Sequence, residues 1–305
     1  MGPRQETPAH RRGHGRTSLT FTDFIAIDWS GQAVERPRGL AVAQARLGAD
    51  APELIHRNWS RQDILDYLTA LADTGTRALI GLDLGPALPF ADEQAYFPGW
   101  AEDPADARAL WALVDRLCTD DPHLGVSSFV DHPEASRYFR RHGGRTGDRF
   151  GTGRGRLRVT EEAQREQGLS PYSNLNLVGA AQVGKSSLTG MRVLHRLRGR
   201  VPIWPFDPLP DQGPVLVEIY TSLAARTAGM RKGISKIRDA ATLDAMLGAL
   251  GSAPHAPLAR YDDHATDAML SAAWLRLAGD DPGLWAPERL KPELASTEGW
   301  TFGVR

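Results

Sequence analysis

The first clear hydrophobic pattern covers residues 21–29, FTDFIAIDW, and is typical of a buried β-strand. Ser30 and Gly31 follow it and predict a turn. Two further segments, 38–47 and 52–59, carry strand-forming residues with polar residues between them. We expect these three strands to form an antiparallel meander.

A helix is predicted over residues 60–75, because its apolar positions recur at helical spacing. Ser60 and Asp63 form a capping-box pattern at its start, and Gly75 follows its end. Residues 78–85 are almost continuously apolar, which predicts a central strand buried on both faces. The opening block is therefore a βββαβ unit.

The rest of the chain predicts a second part of the same core after a long interruption. Further helices are predicted over 183–197, 239–250 and 262–278, and a buried strand over 214–220. The predicted core covers 21–85 and 178–279, and a disordered basic leader over 1–20 precedes it. An Arg/Gly-rich insertion over 86–177, which contains a helix at 106–117, divides the core. A C-terminal extension over 280–305 is predicted to pack on the core as irregular chain or a short hairpin.

Charge and cysteine content restrict the function classes. The chain has 36 Lys and Arg residues against 37 Asp and Glu, a net charge of -1, which argues against a bulk electrostatic nucleic-acid binder but not against a local basic groove. Cys118 is the only cysteine, so an intrachain disulfide and a multi-cysteine metal site are excluded. No apolar run reaches the roughly 18 residues needed to span a bilayer. We expect a cytoplasmic protein with no membrane partner.

Acidic residues stand within or at the ends of apolar segments. Asp28 lies in the first strand, Asp83 in the strand after the first helix, and Glu218 within PVLVEIY. A carboxylate in such a place is costly unless it is paired, hydrogen-bonded or bound to a cation. Asp263 and Asp267 are four residues apart and therefore share one face of the last predicted helix.

Converging carboxylates, with few histidines and no cysteine cluster, favour Mg²⁺ or Mn²⁺. A pair of such ions can activate water and stabilise the leaving oxygen in phosphodiester hydrolysis. Each acid taken alone is equally consistent with a helix cap, a strand-end residue or an ion-pair partner.

The element order and several motifs resemble known proteins. The βββαβ order with Asp28 in IAIDWSG resembles the ribonuclease H-like superfamily, and the segment from His264 to Ala268 is similar to the H-x-x-D-A element of RuvC-type Holliday-junction resolvases. The motifs IDWSG, GLDLG, a GxVGKSS-like segment, WPFD, VEIY, DDHATDA and EGWTFGV resemble a bacterial family described as predicted RNase H-like nucleases.

The resemblance implies an α/β fold with a ribonuclease H-like core, a mixed sheet flanked by helices. It also implies a metal-dependent nuclease or phosphodiesterase whose substrate is DNA, RNA or another phosphoester. By this resemblance Asp28 would be the central metal-bridging carboxylate, and Glu218 and Asp83 would be second ligands. Asp267 or Asp263 would be the ligand from the terminal helix, and His264 would assist proton transfer at the edge of the site.

A second motif keeps an alternative open. Residues 179–186, GAAQVGKS, match the phosphate-binding pattern G-x-x-x-x-G-K-[ST]. This predicts a nucleotide-binding or phosphotransfer protein, although the preceding strand is short and the apolar segment that ends in Asp207 carries two prolines. Gly184, Lys185 and Ser186 at a helix start are also suited to hold a phosphate of a nucleic-acid backbone or a small ligand.

A basic segment between residues 137 and 158 is interleaved with Tyr138, Phe139 and Phe150, a pattern that suits phosphate contacts and base stacking. A solvated loop would have the same composition. A third hypothesis is therefore a non-catalytic nucleic-acid-binding module on the same fold. The arginines of this segment are Arg137, Arg140, Arg141, Arg145, Arg149, Arg154, Arg156 and Arg158.

Overall fold

The structure is a computed structural model and describes residues 20–178, 183–230 and 236–305. Within these ranges the strands form one sheet of six, in the order β3-β2-β1-β4-β6-β5. Most of the predicted leader, residues 1–19, lies outside the described residues. The strands are β1 Asp23–Asp28, β2 Ala41–Arg46, β3 Glu53–Leu54, β4 Ala78–Leu82, β5 Ile203–Trp204 and β6 Val215–Glu218.

The sheet is mixed. β1 pairs antiparallel with β2, and β2 with β3, whereas β4, β6 and β5 continue from β1 in parallel. The chain is thus an α/β protein with ribonuclease H-like topology, and the predicted antiparallel meander is confirmed. The third strand is much shorter than the predicted segment 52–59, because the polar residues His56, Arg57 and Asn58 leave the sheet before the first helix begins.

The predicted helices are also found close to their expected bounds. At the start of the first one, the Ser60 hydroxyl accepts a hydrogen bond from the Asp63 amide, and the Asp63 carboxylate accepts one from the Ser60 amide. This is the capping box that the sequence predicted. The helices are α1 Arg61–Asp73, α2 Ala107–Leu117, α3 Ser127–Val130, α4 Val159–Glu166, α5 Val183–Leu197, α6 Thr221–Thr227, α7 Ala240–Ala249, α8 Asp263–Ala278, α9 Pro282–Trp285 and α10 Pro292–Thr297.

The two faces of the sheet form two hydrophobic clusters, because side chains alternate along each strand. Ile25 and Ile27 of β1 pack with residues of α1, α2 and α5. Phe24 and Ala26 point to the opposite face and pack with α6, α7 and α8. Helix α8 lies directly against β1 and β2. It is therefore held where its first turn can meet the end of β1.

The insertion, residues 86–177, contributes to the cluster on the α1 and α5 face. Phe97 is fully buried and its ring contacts those of Tyr138 and Phe139. Phe150 is also buried, at 3 % exposure. The prediction that these aromatic residues offer a base-stacking surface is therefore wrong: they form a core for the basic segment around them.

The C-terminal extension packs on the other face. Residues 280–305 contain α9 and α10, and then Thr301 forms a parallel bridge to Glu218 at the end of β6. No hairpin forms among residues 280–305; Thr301 pairs instead with Glu218 at the end of β6. Trp300 and Phe302 are fully buried. None of the helices in the described ranges is both long and apolar enough to cross a membrane.

Candidate active site

Asp28 and Asp83 lie side by side at the carboxyl edge of the two central parallel strands. Ile27 pairs with Leu82 across β1 and β4, so the next positions along the chain are Asp28 and Asp83. The Asp83 amide donates a hydrogen bond to the Ile27 carbonyl at 3.0 Å, which continues the strand pairing to this point. The carboxyl edge is where α/β sheets bind ligands.

Helix α8 brings a histidine to the same place. Asp262 caps the helix by accepting a hydrogen bond from the Ala265 amide at 3.0 Å. Nδ1 of His264 lies 2.7 Å from Oδ2 of Asp28. The Asp28 side chain is only 10 % exposed, whereas that of His264 is 47 % exposed. His264 therefore links the buried acid to solvent.

The electrostatics of the site are those of buried carboxylates that repel one another. Burial raises the pKa of Asp28, and the hydrogen bond with His264 offsets part of this effect. Burial, together with the charges of Asp28 and Asp267, raises the pKa of Asp83 well above its usual range. Burial and the charge of Asp28 raise the pKa of Asp267 to about 7. The hydrogen bond with the Asp28 carboxylate in turn raises the pKa of His264.

Glu218 ends β6 beside these residues, but its carboxylate is engaged by a buried arginine. Arg158 Nη1 and Nη2 lie 2.9 and 2.6 Å from the two carboxylate oxygens, and Thr301 Oγ1 donates to Oε1 at 2.8 Å. Arg158 also binds Glu161 at 2.5 Å. The structure therefore brings Glu218 to the sheet edge in the arrangement of an ion pair, one of the alternatives that the sequence left open.

Asp263 also has basic partners. Its Oδ2 lies 2.5 Å from Nζ of Lys236, and its Oδ1 lies 2.7 Å from Nη1 of Arg238. These contacts hold the pKa of Asp263 below its usual value despite partial burial. Of the two acids on α8, Asp267 is thus the one whose charge interacts with Asp28, and it forms no ion pair with a basic residue in the part of the chain that the structure describes.

The loop after β1 packs directly on the start of α5. A Cβ at Gly31 would lie 2.5 Å from the carbonyl carbon of Lys185 and 2.5 Å from the amide nitrogen of Ser186, so only glycine allows this approach. Trp29 Nε1 donates to Thr189 Oγ1 at 3.1 Å and fixes the helix beside β1. Gly184, Lys185 and Ser186 therefore lie next to the carboxylate edge, as the nuclease interpretation needs.

The nucleotide-binding pattern has only part of its expected setting. Its residues 179–182 lie outside the described residues. The described residues directly before them, 171–178, form an isolated bridge between Asn176 and Arg140 and no strand of the sheet. Asp207 accepts a hydrogen bond from the Ile203 amide at 2.9 Å and binds Arg108, so it closes a turn after β5. The strand that normally feeds such a loop is missing from the described part of the chain.

A cavity of about 450 Å³ opens beside Asp83. Its other walls include Arg158 and Glu161. Burial raises the pKa of Glu161 to about 7. Tyr172 also lines it, and the guanidinium of Arg154 stacks 5.3 Å from the centre of the tyrosine ring. Sequence reasoning did not assign site roles to Glu161 or Tyr172; the one available signal was the spacing of Arg158 and Glu161, one helical turn apart.

The donor chemistry fits a hard divalent cation, although no ready-made cage is present. Among the residues that the structure describes, no three His, Cys, Asp or Glu side chains are placed to hold a metal ion. Mg²⁺ is usually bound by one or two carboxylates, several waters and substrate phosphates, and does not need such a cage. Asp28, Asp83 and Asp267 supply carboxylate oxygens whose mutual repulsion a cation would relieve.

Comparison with known proteins gives no relative. No protein-family model matches the chain, and no curated protein or solved structure matches it either. The resemblance to RNase H-like nucleases thus stays a prediction from sequence motifs. The strand order establishes the fold, and any functional assignment depends on the site itself.

Proposed function

We propose that this chain is a phosphodiesterase dependent on Mg²⁺ or Mn²⁺ that hydrolyses phosphodiester bonds of nucleic acid. One observation carries the proposal. Asp28, Asp83 and Asp267 come from three separate elements, and each has a raised pKa at the carboxyl edge of the sheet. Such a group of buried carboxylates, in which His264 partners only Asp28, is destabilising by itself, which favours a functional origin.

Asp28 and Asp83, at the ends of adjacent strands, would hold the cation, with waters and substrate phosphates completing its coordination, and the nearby charge of Asp267 would add to the attraction. When bound, the cation would supply an activated water and charge stabilisation at the phosphate. The protein contributes fixed carboxylate positions, because β1, β4 and α8 are all buried elements. Glu218 and Asp263 would act indirectly, through the ion pairs that hold β6 and the first turn of α8 in place.

His264 is suited to move a proton at the edge of the site. Its Nδ1 is committed to Asp28, so Nε2 is the nitrogen left to exchange a proton with substrate or solvent. The raised pKa keeps the ring protonated closer to neutral pH. A protonated imidazole can donate to a leaving oxygen, which is general acid catalysis.

Positive charge for the substrate backbone lies on the insertion and on α5. Lys185 flanks the loop after β1, and Arg140, Arg145, Arg149 and Arg154 are exposed. Other arginines of the segment serve the fold. Arg156, for example, binds Asp92 through two hydrogen bonds of 2.9 and 2.6 Å.

The test is a cleavage assay on labelled single-stranded DNA, single-stranded RNA, duplex DNA and a four-way junction, with Mn²⁺ or Mg²⁺. We expect the protein to cleave at least one of these substrates, and we expect chelation of the metal with EDTA to abolish that cleavage. Asp28→Asn and Asp83→Asn should each lower the rate by about 100-fold or more, the scale of a lost transition-state contact. Asp66→Asn, at an exposed aspartate on α1, is the matched control and should cleave like the wild type.

Equal cleavage by Asp28→Asn, Asp83→Asn and the control would overturn the proposal. Binding of nucleic acid with no cleavage of any substrate would favour the non-catalytic binding module. Binding of ATP or GTP that Lys185→Ala abolishes and Asp28→Asn preserves would favour the nucleotide-binding or phosphotransfer alternative.

A further inference from the structure

A second, smaller cavity lies behind the loop that follows β1. Its volume is about 100 Å³, and Gly31 lines both this cavity and the larger one beside Asp83. A cavity of this size has room for ordered waters or for a phosphate group. Its side-chain walls include Arg141, Arg145 and Lys185.

A tight turn fixes the two arginines of this cavity. The Arg141 amide donates to the Arg145 carbonyl at 2.7 Å, and Arg145 Nε donates to the His142 carbonyl at 3.0 Å. Gly143 and Gly144 both have φ of 72°, the left-handed conformation that this turn requires and that glycine adopts without strain. The basic side chains are therefore presented by a defined turn.

The cavity has an excess of positive charge. Asp131 is the one acid among the described residues that line it, and it lies 2.9 Å from Arg141 Nη1 and 3.7 Å from Arg145 Nη1. Asp131 is 59 % exposed and therefore hydrated, whereas the Arg141 side chain is only 17 % exposed. Arg141, Arg145 and Lys185 outnumber this single carboxylate by three charges to one.

Arg141, which lines the cavity, also has a donor without an acceptor. Nε of Arg141 is buried and has no hydrogen-bond partner within the part of the chain that the structure describes. It costs free energy to leave a buried guanidinium N–H without a hydrogen bond, so an acceptor is expected near it. An anion bound in the cavity offsets the surplus charge beside this guanidinium.

We propose that this cavity binds a phosphate group of the substrate other than the one that is cleaved. The inference rests on the proposed function for the identity of the substrate, but the anion site itself does not. Gly31 and residues of α5 line both this cavity and the one beside Asp83, so one strand of nucleic acid can place one phosphate in each cavity. The chemistry fits either a terminal phosphomonoester or an internal phosphodiester. In both cases the substrate carries at least two phosphates.

The test measures binding in EDTA, where no cleavage takes place. Calorimetry follows inorganic phosphate, and fluorescence anisotropy follows a labelled trinucleotide with or without a 5′-phosphate or a 3′-phosphate. We expect Arg141→Gln and Arg145→Gln each to weaken binding of these probes by about 10-fold, the loss of one charge-assisted contact. Each should also lower the salt-dependence slope by about 1. Arg116→Gln is the matched control, because Arg116 lies on α2, outside the cavity wall and outside the basic segment, and its side chain is 58 % exposed like that of Arg145.

The trinucleotides distinguish the two sources of phosphate. Tighter binding of one end-phosphorylated trinucleotide identifies a terminal phosphomonoester, and equal binding of all three identifies an internal phosphodiester. Arg145→Gln keeps the test valid if Arg141→Gln does not fold, because the Arg145 side chain is 58 % exposed.

Wild-type binding by folded Arg145→Gln would overturn the inference, as would the absence of phosphate binding by the wild type. The inference and the proposed function can fail separately. Loss of phosphate binding in Arg145→Gln, in a protein that cleaves nothing, would support the anion site and contradict the nuclease. Metal-dependent cleavage with unchanged phosphate binding in the variants would support the nuclease and contradict the anion site.

Discussion

Nδ1 of His264 lies 2.7 Å from Oδ2 of Asp28 and so joins the first strand to the last long helix, across 236 positions of the chain. The contact moves two pKa values in opposite directions, raising that of His264 and offsetting the burial that raises that of Asp28. It also places Asp267, one turn further along α8, close enough to Asp28 for their charges to interact. The relationship defines the candidate site better than either residue does alone.

Asp267 should make the metal-free fold weaker as pH rises. Its pKa in the folded protein is about 7, against an ordinary value of 3.8, so its contribution to stability is fully present below about pH 4 and is lost as pH rises through 7. Asp267→Asn removes this charge. We expect it to raise the free energy of unfolding by about 1–2 kcal/mol at pH 8 and to change it little at pH 4.

Urea unfolding in EDTA at the two pH values measures this difference. Adding Mn²⁺ should stabilise the wild type more than Asp267→Asn, because binding to the folded state adds to stability. An effect of the substitution that does not change with pH would contradict the assignment of the raised pKa to Asp267.

Arg158 and Glu218 should prove to be structural partners. Arg158→Gln leaves Glu161 and Glu218 without their buried cation, and we expect it to lower the free energy of unfolding by about 3–5 kcal/mol. Glu218→Gln should keep Mn²⁺ affinity within about threefold of the wild type, a change of under 1 kcal/mol. Denaturant unfolding and metal titration of the two variants measure these effects. A Glu218→Gln protein that folds normally and has lost Mn²⁺ binding would show instead that Glu218 is a ligand.

Gly31 should not tolerate a methyl group. In Gly31→Ala the new Cβ would lie 2.5 Å from the backbone of Lys185 and Ser186, which cannot move as a flexible side chain can. We expect a loss of about 1–3 kcal/mol in the free energy of unfolding and weaker phosphate binding. Gly248→Ala is the control, since nothing lies within 4 Å of that Cβ in helix α7, and alanine there should stabilise the fold slightly. Equal stability of the two variants would mean that the loop does not pack on α5 this closely.

Much of the fold was accessible from the sequence because its signals are local. The apolar run before Asp28 and the capping box at Ser60 each depend on neighbouring residues, and both were found where predicted. Asp28 and Asp83 could be placed together because both end buried strands, and parallel neighbours end at one edge. The sequence also predicted that Glu218, Asp263 and Asp267 would converge on them. In the structure the charge of Asp267 interacts with that of Asp28, whereas Glu218 and Asp263 are held in ion pairs.

Contacts between residues that are far apart in the chain could not be predicted from the sequence. Glu218 has the same strand-end pattern as Asp83, but its partner Arg158 is 60 positions away and carries no signal of the contact. Tyr138, Phe139 and Phe150 alternate with arginines as an exposed stacking surface would, and are nevertheless buried because the insertion folds onto Phe97. Composition alone does not distinguish these two outcomes.

The most direct test of the account is calorimetric titration of Mn²⁺ at pH 8 into metal-free wild type, Asp28→Asn, Asp83→Asn and the Asp66→Asn control. Each titration is made with and without a non-cleavable phosphorothioate oligonucleotide, since substrate phosphates complete the coordination of such ions. The account predicts saturable binding by the wild type and the control, weakened by about 10-fold or more in Asp28→Asn and Asp83→Asn. Equal binding by all four proteins, or none by the wild type with oligonucleotide present, would contradict a metal site at these carboxylates.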